Sequence, residues 1–278
     1  MAEIDVESNL RVYDAPDVAA HYAGLDYLTP CERLLFQTYI PPGSAVLDLG
    51  VGGGRTTPLL ASRASRYVGV DYAAAMIKAC RAKFPDLEFL VANAADLSSF
   101  SAGSFHAVVF AFNGMDYVPV GARAKCFEEI RRVLKPGAVL IFSSHNPRAI
   151  LVRPRWNRER MRTIAQRVAG DSGLFRSLVV FLLLSLRMAW ANVQAVWATV
   201  VRLITRIPSR MFWNGEGGQT DPVHGGLLTR YAVPEKIVPE LVGLQFRPAR
   251  VLGDDYPRRS HLYATDWYYY VFSKPDDK

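Results

Sequence analysis

Short apolar runs alternate with helix-like stretches through the first half of the chain. Each apolar run is typical of a buried strand, and the stretches between them repeat apolar residues at helical spacing. The predicted strands are Ala45–Leu49, Tyr67–Val70, Leu87–Val91, Ala107–Phe112 and Ala138–Ser143. The predicted helices between them are Thr57–Arg63, Ala73–Phe84 and Arg123–Leu134. This alternation predicts an α/β fold with βαβ crossovers and a parallel sheet.

The pattern changes on both sides of this region. Before it, Val18–Tyr39 predicts one helix, which Pro41-Pro42-Gly43 ends. After about Asn146 the alternation stops, and the turn-rich stretch Asn214–Gly226 precedes a last group of elements. That group is predicted to contain a helix at Val233–Leu244 and strands at Ala249–Gly253 and Asp266–Phe272.

The chain is therefore predicted to have three parts. Residues 1–147 form a core, residues 148–226 a basic and apolar helical insertion, and residues 227–278 complete the core sheet. Within the insertion, residues 174–207 are apolar around most of a helical circumference, more than a helix packed on one side requires. Three interpretations stay open: a lid or dimer helix, an interfacial helix that meets a membrane or lipid substrate, and a transmembrane span.

Composition and charge narrow the class of protein. Half of the 278 residues are apolar and 21% are charged, which suffices for a core and excludes a disordered chain. Between Arg148 and Arg210 there are 12 arginines, no lysine and two acidic residues, whereas the rest of the chain has a small excess of acids. This confinement of the basic charge argues against a nucleic-acid partner. It favours contact of the insertion with an anionic surface.

Cysteines and the N-terminal residues indicate the compartment. Cys31, Cys80 and Cys126 follow no metal-ligand or redox spacing, and an odd number cannot all pair within the chain. The first residues are acidic and lack the apolar stretch of a signal peptide. We therefore expect a cytoplasmic protein, peripheral at the membrane if it meets one, with no metal site.

The clearest chemical signal is a glycine-rich segment after the first predicted strand. Asp48 is followed by Gly50, Gly52 and Gly54 at every second position. Such a turn from strand to helix lets the backbone approach a ligand closely. A dinucleotide site requires a small residue at the last position of G-x-G-x-x-G, where this chain has Arg55. The segment is thus atypical of a nicotinamide-binding enzyme.

The segment from Asp48 to Gly54 resembles the first motif of the class I S-adenosylmethionine-dependent methyltransferases of the small-molecule type. The resemblance continues in Val68-Gly69-Val70-Asp71, Asn93-Ala94-Ala95-Asp96-Leu97, Phe105–Val109 and Glu129–Ile141. It implies a Rossmann-like, doubly wound, mostly parallel seven-stranded sheet with a helical lid inserted after the fifth strand. It also implies S-adenosyl-L-methionine as the cofactor.

The same resemblance implies the residues of the cofactor site. The three glycines Gly50, Gly52 and Gly54 would flank the methionine moiety. Asp48 would orient the loop or pair with the cofactor's amino group, and Asp71 would bind the ribose hydroxyls. The other implied contacts are Tyr22, Tyr72, Met76, Asn93, Ala94 and Phe110. For Tyr22 the alternative, equally open, is a purely structural role in the core or on the surface.

His145 is the best candidate for a catalytic base. It follows the fifth predicted strand, at the ligand-facing end of the parallel sheet, although it can also simply anchor the next loop. Asn113 and Asp116, after the fourth strand, are candidate substrate contacts. We expect S-adenosylmethionine-dependent methyl transfer to oxygen of a small-molecule or lipid-like acceptor. The alternatives are a nucleotide-binding oxidoreductase and a membrane-docked binding module without catalysis.

Overall fold

The computed structural model describes residues 6–146, 178–179, 182, 186, 216–220, 228–258 and 265–276. The chain divides into two compact units. One comprises Met1–Pro147 and Gly215–Lys278, and the other comprises Arg148–Asn214. The second unit starts at the residue predicted for the insertion and ends at Asn214, before the predicted residue 226.

Seven helices and nine strands make up the described part of the first unit. The helices are α1 (Val6–Tyr13), α2 (Pro16–Ala23), α3 (Pro30–Tyr39), α4 (Thr57–Arg63), α5 (Ala74–Lys83), α6 (Val120–Val133) and α7 (Pro234–Gly243). The strands are β1 (Ser44–Leu49), β2 (Ala64–Asp71), β3 (Glu88–Val91), β4 (Phe105–Phe110), β5 (Leu134–His145), β6 (Glu216–Thr220), β7 (Leu228–Ala232), β8 (Arg247–Gly253) and β9 (Trp267–Ser273). A short 3-10 helix, Gly114–Tyr117, follows β4.

The central sheet has seven strands in the order β3-β2-β1-β4-β5-β9-β8. The first five strands pair in parallel, and β9 is antiparallel to both β5 and β8. This confirms the predicted mostly parallel, Rossmann-like sheet. The strand order reverses at β1, which lies between β2 and β4, and in such sheets the crevice at the carboxyl end of this point is the usual ligand site.

Both faces of the sheet are buried. Leu47, Val108 and Phe142 lie in the core on one face, together with residues of α6 and α7. Their sequence neighbours Val46 and Val109 lie in the core on the other face, with residues of α3, α4 and α5. Burial on both faces explains why the parallel strands are continuous apolar runs rather than alternating patterns.

The single helix predicted for Val18–Tyr39 is wrong, because residues 24–29 separate α2 from α3. A capping box starts the new helix. The Thr29 hydroxyl accepts a hydrogen bond from the Glu32 amide at 3.1 Å, and the Glu32 carboxylate accepts one from the Thr29 amide at 2.8 Å. Pro30 takes the first helical position, where its missing N–H costs nothing.

Several element ends differ from the prediction by a few residues, and two differences matter for the site or the topology. Strand β4 ends at Phe110 rather than Phe112, since Phe112 and Asn113 have left-handed φ angles of 56° and 64°. The stretch Asn214–Gly226, predicted as turns, contains strand β6, which pairs antiparallel with β7. The glycines and polar residues of β6 are typical of turns, so the sequence pattern does not predict this strand, whose pairing depends on backbone hydrogen bonds.

Four residues of the predicted apolar segment 174–207 are described, and all four are helical: Leu178, Val179, Leu182 and Leu186. The rest of the predicted apolar segment 174–207 lies outside the described residues. Within the described ranges, no helix has both the length and the apolar character that a membrane span needs.

Candidate active site

The glycine loop between β1 and α4 lies at the carboxyl edge of the sheet, at the point where the strand order reverses. Gly50, Gly52 and Gly54 all have positive φ angles, of 59°, 54° and 81°. A Cβ atom at Gly50 would lie 2.7 Å from the Phe110 ring, and one at Gly54 would lie 2.6 Å from the Phe84 ring. These positions therefore exclude side chains for two reasons, backbone conformation and space. The bare backbone is left for a ligand to approach.

Asp48 lies beneath this loop and is buried. Its carboxylate accepts hydrogen bonds from the hydroxyls of Thr56, at 2.6 Å, and Tyr67, at 2.8 Å. Burial raises the pKa of the Asp48 carboxyl to about 6, while the two hydroxyl donors work in the opposite direction. Thr56 follows the loop directly, so these bonds tie the loop to strand β2. The geometry fits the loop-orienting role that the sequence suggested for Asp48.

Asp71 ends β2 next to the same loop. Its carboxylate accepts the backbone N–H groups of Gly52 and Ala73, both at 2.9 Å. Burial raises the pKa of the Asp71 carboxyl to about 6, opposed by the backbone N–H groups of Ala73, Gly52 and Tyr72. A carboxylate has about four acceptor positions, so two amides leave capacity for ligand hydroxyls. Asp71 is thus both a fixing point for the loop and a candidate ligand contact.

Helices α1 and α2 bring aromatic side chains to the edge formed by the loop and Asp71. The Tyr13 ring centroid lies 6.0 Å from that of Tyr22, 6.3 Å from that of Tyr72 and 5.4 Å from that of Tyr117. The end of α2 lies directly against the loop, because a Cβ atom at Gly53 would lie 2.2 Å from the Tyr22 backbone. Tyr22 is therefore next to the glycine loop, as expected of a residue that covers it.

Three other predicted cofactor contacts, Met76, Asn93 and Ala94, differ from one another in burial. Met76 is buried with Ala73 and with Ala19 of α2, in a small core rather than on an open surface. Asn93 is exposed after β3, and its side-chain oxygen accepts the Ala95 amide at 2.9 Å. Ala94 is half-buried against the main core. Their roles toward a ligand stay predictions.

Phe110 is the last residue of β4, and its ring packs against Gly50 and Gly114. Its ring lies where a Cβ atom of Gly50 or of Gly114 would be, at 2.7 Å and 2.2 Å respectively. The side chain is almost completely buried. Phe110 thus forms a wall between the glycine loop and the 3-10 helix.

His145 lies at the end of β5 and pairs with a buried carboxylate. Its Nδ1 atom is 2.7 Å from the Oδ2 atom of Asp116, in the 3-10 helix after β4. The Asp116 carboxylate also accepts the His145 backbone amide, at 2.7 Å, and the Ser144 hydroxyl, at 2.6 Å. The other ring nitrogen of His145, Nε2, lies 3.3 Å from the side-chain nitrogen of Asn113. Such an arrangement can take up a proton at Nε2.

An aromatic and cationic cluster adjoins this histidine. The Phe112 and Trp267 ring centroids are 5.9 Å apart, and Trp267 is the direct β-sheet neighbour of His145. The Arg55 guanidinium lies 4.5 Å from the centre of the Phe112 ring and forms an ion pair with the buried Glu32. Arg55, which does not fit the dinucleotide motif, therefore links the glycine loop to α3 and to the loop after β4.

The structure thus brings the glycine loop, Asp71 and Tyr22 together, and it places His145 at the same edge of the sheet on β5. Sequence reasoning missed two partnerships. The sequence indicates Asp116 only as a candidate substrate contact, and it gives no sign of a role for Glu32. Asp116 and His145 are 29 positions apart, and Glu32 and Arg55 are 23 apart, so no local pattern links either pair.

Comparison with known proteins gives three findings on sequence. A family described as "Methyltransferase domain" matches residues 46–137. A trans-aconitate 2-methyltransferase from Azoarcus sp. is 34% identical over 109 residues, which cover 38% of this chain and 41% of that protein. A demethylmenaquinone methyltransferase from Renibacterium salmoninarum is 30% identical over 152 residues, covering 54% of this chain and 62% of that protein. The chain therefore spans less than two thirds of these relatives.

Solved structures show the same fold at low sequence identity. A 1,6-didemethyltoxoflavin-N1-methyltransferase from Burkholderia thailandensis, solved with S-adenosylhomocysteine, has a TM-score of 0.57 and 13% identity, and the match covers 99% of this chain and 95% of that one. A methyltransferase structure from Methanosarcina mazei has a TM-score of 0.54 and 17% identity, with coverage of 91% and 100%. The fold and the family resemblance predicted from the sequence are confirmed.

Proposed function

We propose, from the match of residues 46–137 to a methyltransferase-domain family and from the resemblance of the Asp48–Gly54 segment to the class I S-adenosylmethionine-dependent enzymes, that the protein transfers a methyl group from S-adenosylmethionine to oxygen of a small-molecule or lipid-like acceptor. One observation carries the proposal. A glycine-rich loop and a buried carboxylate that can hold the cofactor share one sheet edge with the imidazole of His145. Both curated relatives cited above are named for small-molecule acceptors, trans-aconitate and demethylmenaquinone.

The residues at this edge fit the cofactor. The loop backbone is open at Gly52, where the nearest atom to an added Cβ would be in the Tyr22 ring at 3.8 Å, so a methionine moiety can approach there. Asp71 has acceptor capacity for the two ribose hydroxyls beyond its bonds to Gly52 and Ala73. Tyr22 and Tyr72 provide apolar surface over the same edge, where the flat adenine can lie. When bound, the cofactor supplies an activated methyl group on a sulfonium.

The chain's own contribution to catalysis is alignment, exclusion of water and proton uptake. The rings of Phe112 and Trp267, whose centroids lie 5.9 Å apart next to His145 in the sheet, offer an acceptor an apolar surface, and a bound acceptor would displace water from it. His145 can accept the proton of a hydroxyl acceptor at Nε2 as its oxygen attacks, because the ring is held through Nδ1. General-base assistance of this kind increases rates for hydroxyl acceptors, whose own acidity is low.

The proposed function is tested by following S-adenosylhomocysteine release from the full chain with a panel of acceptors. The panel should include carboxylic acids, phenols, quinols and lipid-linked alcohols, with product masses read by mass spectrometry. We expect a mass gain of one methylene on oxygen in at least one class. Binding of the cofactor without turnover on any acceptor would favour the non-catalytic module. Methylation of amines alone would move the acceptor atom from oxygen to nitrogen.

Asp71→Ala is expected to weaken cofactor binding about ten- to a hundredfold without unfolding the domain. The reason is the loss of hydrogen bonds from the ribose hydroxyls to a charged acceptor, worth about 1.5–3 kcal/mol. Calorimetric titration with S-adenosylhomocysteine measures the change. Asp86→Ala is the matched control, since Asp86 is exposed and precedes β3 at the opposite edge of the sheet. Unchanged affinity in Asp71→Ala would place the ribose elsewhere.

The same carboxylate predicts a pH dependence. Only ionised Asp71 accepts hydroxyl protons with both oxygens, and burial raises its pKa to about 6. Cofactor affinity should therefore fall as the pH is lowered through about 6 and be constant above it. Asp48 has a pKa raised to about the same value, so Asp71→Asn identifies the group responsible. This variant cannot ionise, and its affinity should be weaker at high pH and nearly independent of pH.

We also propose that the insertion contacts anionic lipid. Leu178, Leu182 and Leu186 follow each other at four-residue intervals in helical conformation, and they are 67%, 61% and 61% exposed. At this spacing they lie on one side of a helix. Exposed leucines in a segment with a strong arginine excess are typical of a helix that lies in a membrane interface.

Vesicle co-sedimentation tests this contact. The full chain should sediment with vesicles that contain phosphatidylglycerol and should be released by salt, because the attraction is partly electrostatic. It should sediment less with pure phosphatidylcholine. The triple variant Leu178→Ser, Leu182→Ser, Leu186→Ser should lose most of the binding. Equal sedimentation of the variant, together with a dimer that only the unaltered chain forms, would assign these leucines to oligomerisation.

A further inference from the structure

The Asp116 carboxylate is more deeply buried, and accepts more hydrogen bonds from the protein, than a substrate contact requires. It is fully buried, in the 3-10 helix Gly114–Tyr117 after β4. All its described donors come from the end of β5: the Ser144 hydroxyl to one oxygen, and the backbone amide and Nδ1 of His145 to the other. Because Oδ2 binds a backbone N–H and the ring of the same residue, the imidazole orientation is fixed relative to its own main chain.

We infer that Asp116 is a positioning residue that makes Nε2 of His145 the proton-accepting atom, for an acceptor that carries a hydroxyl group. The inference rests on the proposed function and deepens it. A carboxylate oxygen at 2.7 Å from Nδ1 requires the proton on Nδ1, which leaves the lone pair of the neutral ring on Nε2.

Asn113 gives an independent observation on the same atom. Its side-chain nitrogen lies 3.3 Å from Nε2, and its side-chain oxygen is buried with no hydrogen-bond partner among the described residues. If Nε2 is the acceptor, the amide must present its NH2 group there, so the tautomer and the amide orientation agree. The residue itself is held in a left-handed conformation, φ 64°, by a 2.8 Å bond from its backbone amide to the Ser143 hydroxyl.

The unpartnered oxygen of Asn113 indicates what the acceptor supplies. A buried acceptor without a partner is destabilising, so its presence beside Nε2 indicates that a ligand completes it. A hydroxyl group placed there can donate to the Asn113 oxygen on binding and then to Nε2 as it reacts. A tertiary amine or a thioether has no proton to donate and would leave the Asn113 oxygen unsatisfied.

The proposed reaction transfers a methyl group to the acceptor oxygen and a proton from it. The acceptor oxygen forms a bond to the methyl carbon with one of its lone pairs, while the electron pair of the carbon–sulfur bond goes to sulfur. The acceptor proton moves from oxygen to Nε2 of His145. The imidazolium that results is stabilised by the Asp116 carboxylate on Nδ1, and it later returns the proton to solvent.

The tautomer is measured directly by nitrogen NMR on the full chain with 15N-labelled histidine. The chain has five histidines, and His145→Gln identifies the signals of His145 by their loss. In the neutral ring we expect a protonated Nδ1 and an unprotonated Nε2, opposite to the form that free imidazole side chains prefer. Wild-type His145 with its proton on Nε2 would overturn the inference, whatever the activity.

Two substitutions of Asp116 separate its roles. Asp116→Asn keeps an oxygen toward the two His145 donors and turns its NH2 group to Ser144, so the tautomer should persist while the negative charge is lost. Its turnover should fall about ten- to a hundredfold, since hydrogen bonds to charged groups contribute about 1.5–3 kcal/mol. Cofactor affinity should be unchanged. Asp116→Ala should lose the tautomer as well, whereas Asp86→Ala, at an exposed residue before β3, should change neither readout.

The double variant shows whether Asp116 acts through His145. In a His145→Ala background, Asp116→Asn should cause no further loss of turnover, because residues that act as a unit are not additive. An equal loss in both backgrounds, or full activity of Asp116→Asn, would overturn the inference. If His145→Ala alone keeps full turnover, the proposed base fails, whereas the NMR measurement still decides whether Asp116 sets the tautomer.

Discussion

Arg55→Met should lower the free energy of unfolding by about 3–5 kcal/mol, the largest stability effect that we expect from a single substitution in this chain. The Arg55 guanidinium makes two bonds to the Glu32 carboxylate, at 2.5 and 2.7 Å, and one to the Tyr27 carbonyl at 2.9 Å. Glu32 is fully buried. Removal of the arginine leaves this carboxylate without its counter-charge in the interior.

The environment of the pair explains the size of the effect. Burial alone would lower the pKa of the Arg55 guanidinium, yet the hydrogen bonds and charge of Glu32 raise it above its ordinary value. Each charge is therefore stable in the interior only because the other is present. Urea denaturation of the full chain measures the loss. Glu32→Leu combined with Arg55→Met should be less destabilised than Arg55→Met alone, because no unpaired charge remains.

Arg33→Met is the matched control for this experiment. Arg33 is exposed on the same helix as Glu32, and its substitution should change the free energy of unfolding by less than about 0.5 kcal/mol. If Arg55→Met is as stable as the control, the ion pair does not hold the glycine loop against α3.

His145→Ala should lower turnover on a hydroxyl acceptor by about 10²–10⁴-fold, the usual contribution of a general base. Cofactor affinity should stay within about twofold, because His145 lies on β5 and the cofactor loop follows β1. Steady-state kinetics with the acceptor found in the screen measures turnover, and calorimetry measures affinity.

His106→Ala is the matched control for the histidine substitution. His106 is exposed at the start of β4, at the opposite edge of the sheet, where its Nδ1 accepts the Ala45 amide at 2.9 Å. Its loss should leave turnover nearly unchanged. A His145→Ala protein that keeps most of its turnover would make His145 an anchor for the following loop and not a base.

The sequence predicted the sheet because its signals are local. Parallel strands buried on both faces are unbroken apolar runs, and Asp48–Gly54 carries its conformational requirement in its own glycines. The break between α2 and α3 was not predicted. The sequence does carry a signal for it, because Thr29 and Glu32 form a capping box and Pro30 takes the first helical position.

The site was only partly predictable because its key contacts join distant residues. His145 could be placed from its position after β5, but its partner Asp116 follows β4, and only the pairing of these strands brings them together. The left-handed conformation of Phe112 has no signature in residue type, since phenylalanine rarely adopts it, whereas asparagine, as at Asn113, adopts it more readily. Backbone strain of this kind is imposed by the surrounding fold and is concentrated at functional sites.

Titration of the purified full chain with S-adenosylhomocysteine, S-adenosylmethionine and NAD by calorimetry tests the central claim most directly. The account predicts that both sulfur cofactors bind at one site per chain, that Asp71→Ala weakens both, and that NAD shows no comparable affinity. Tight binding of NAD with no binding of either sulfur compound would contradict it.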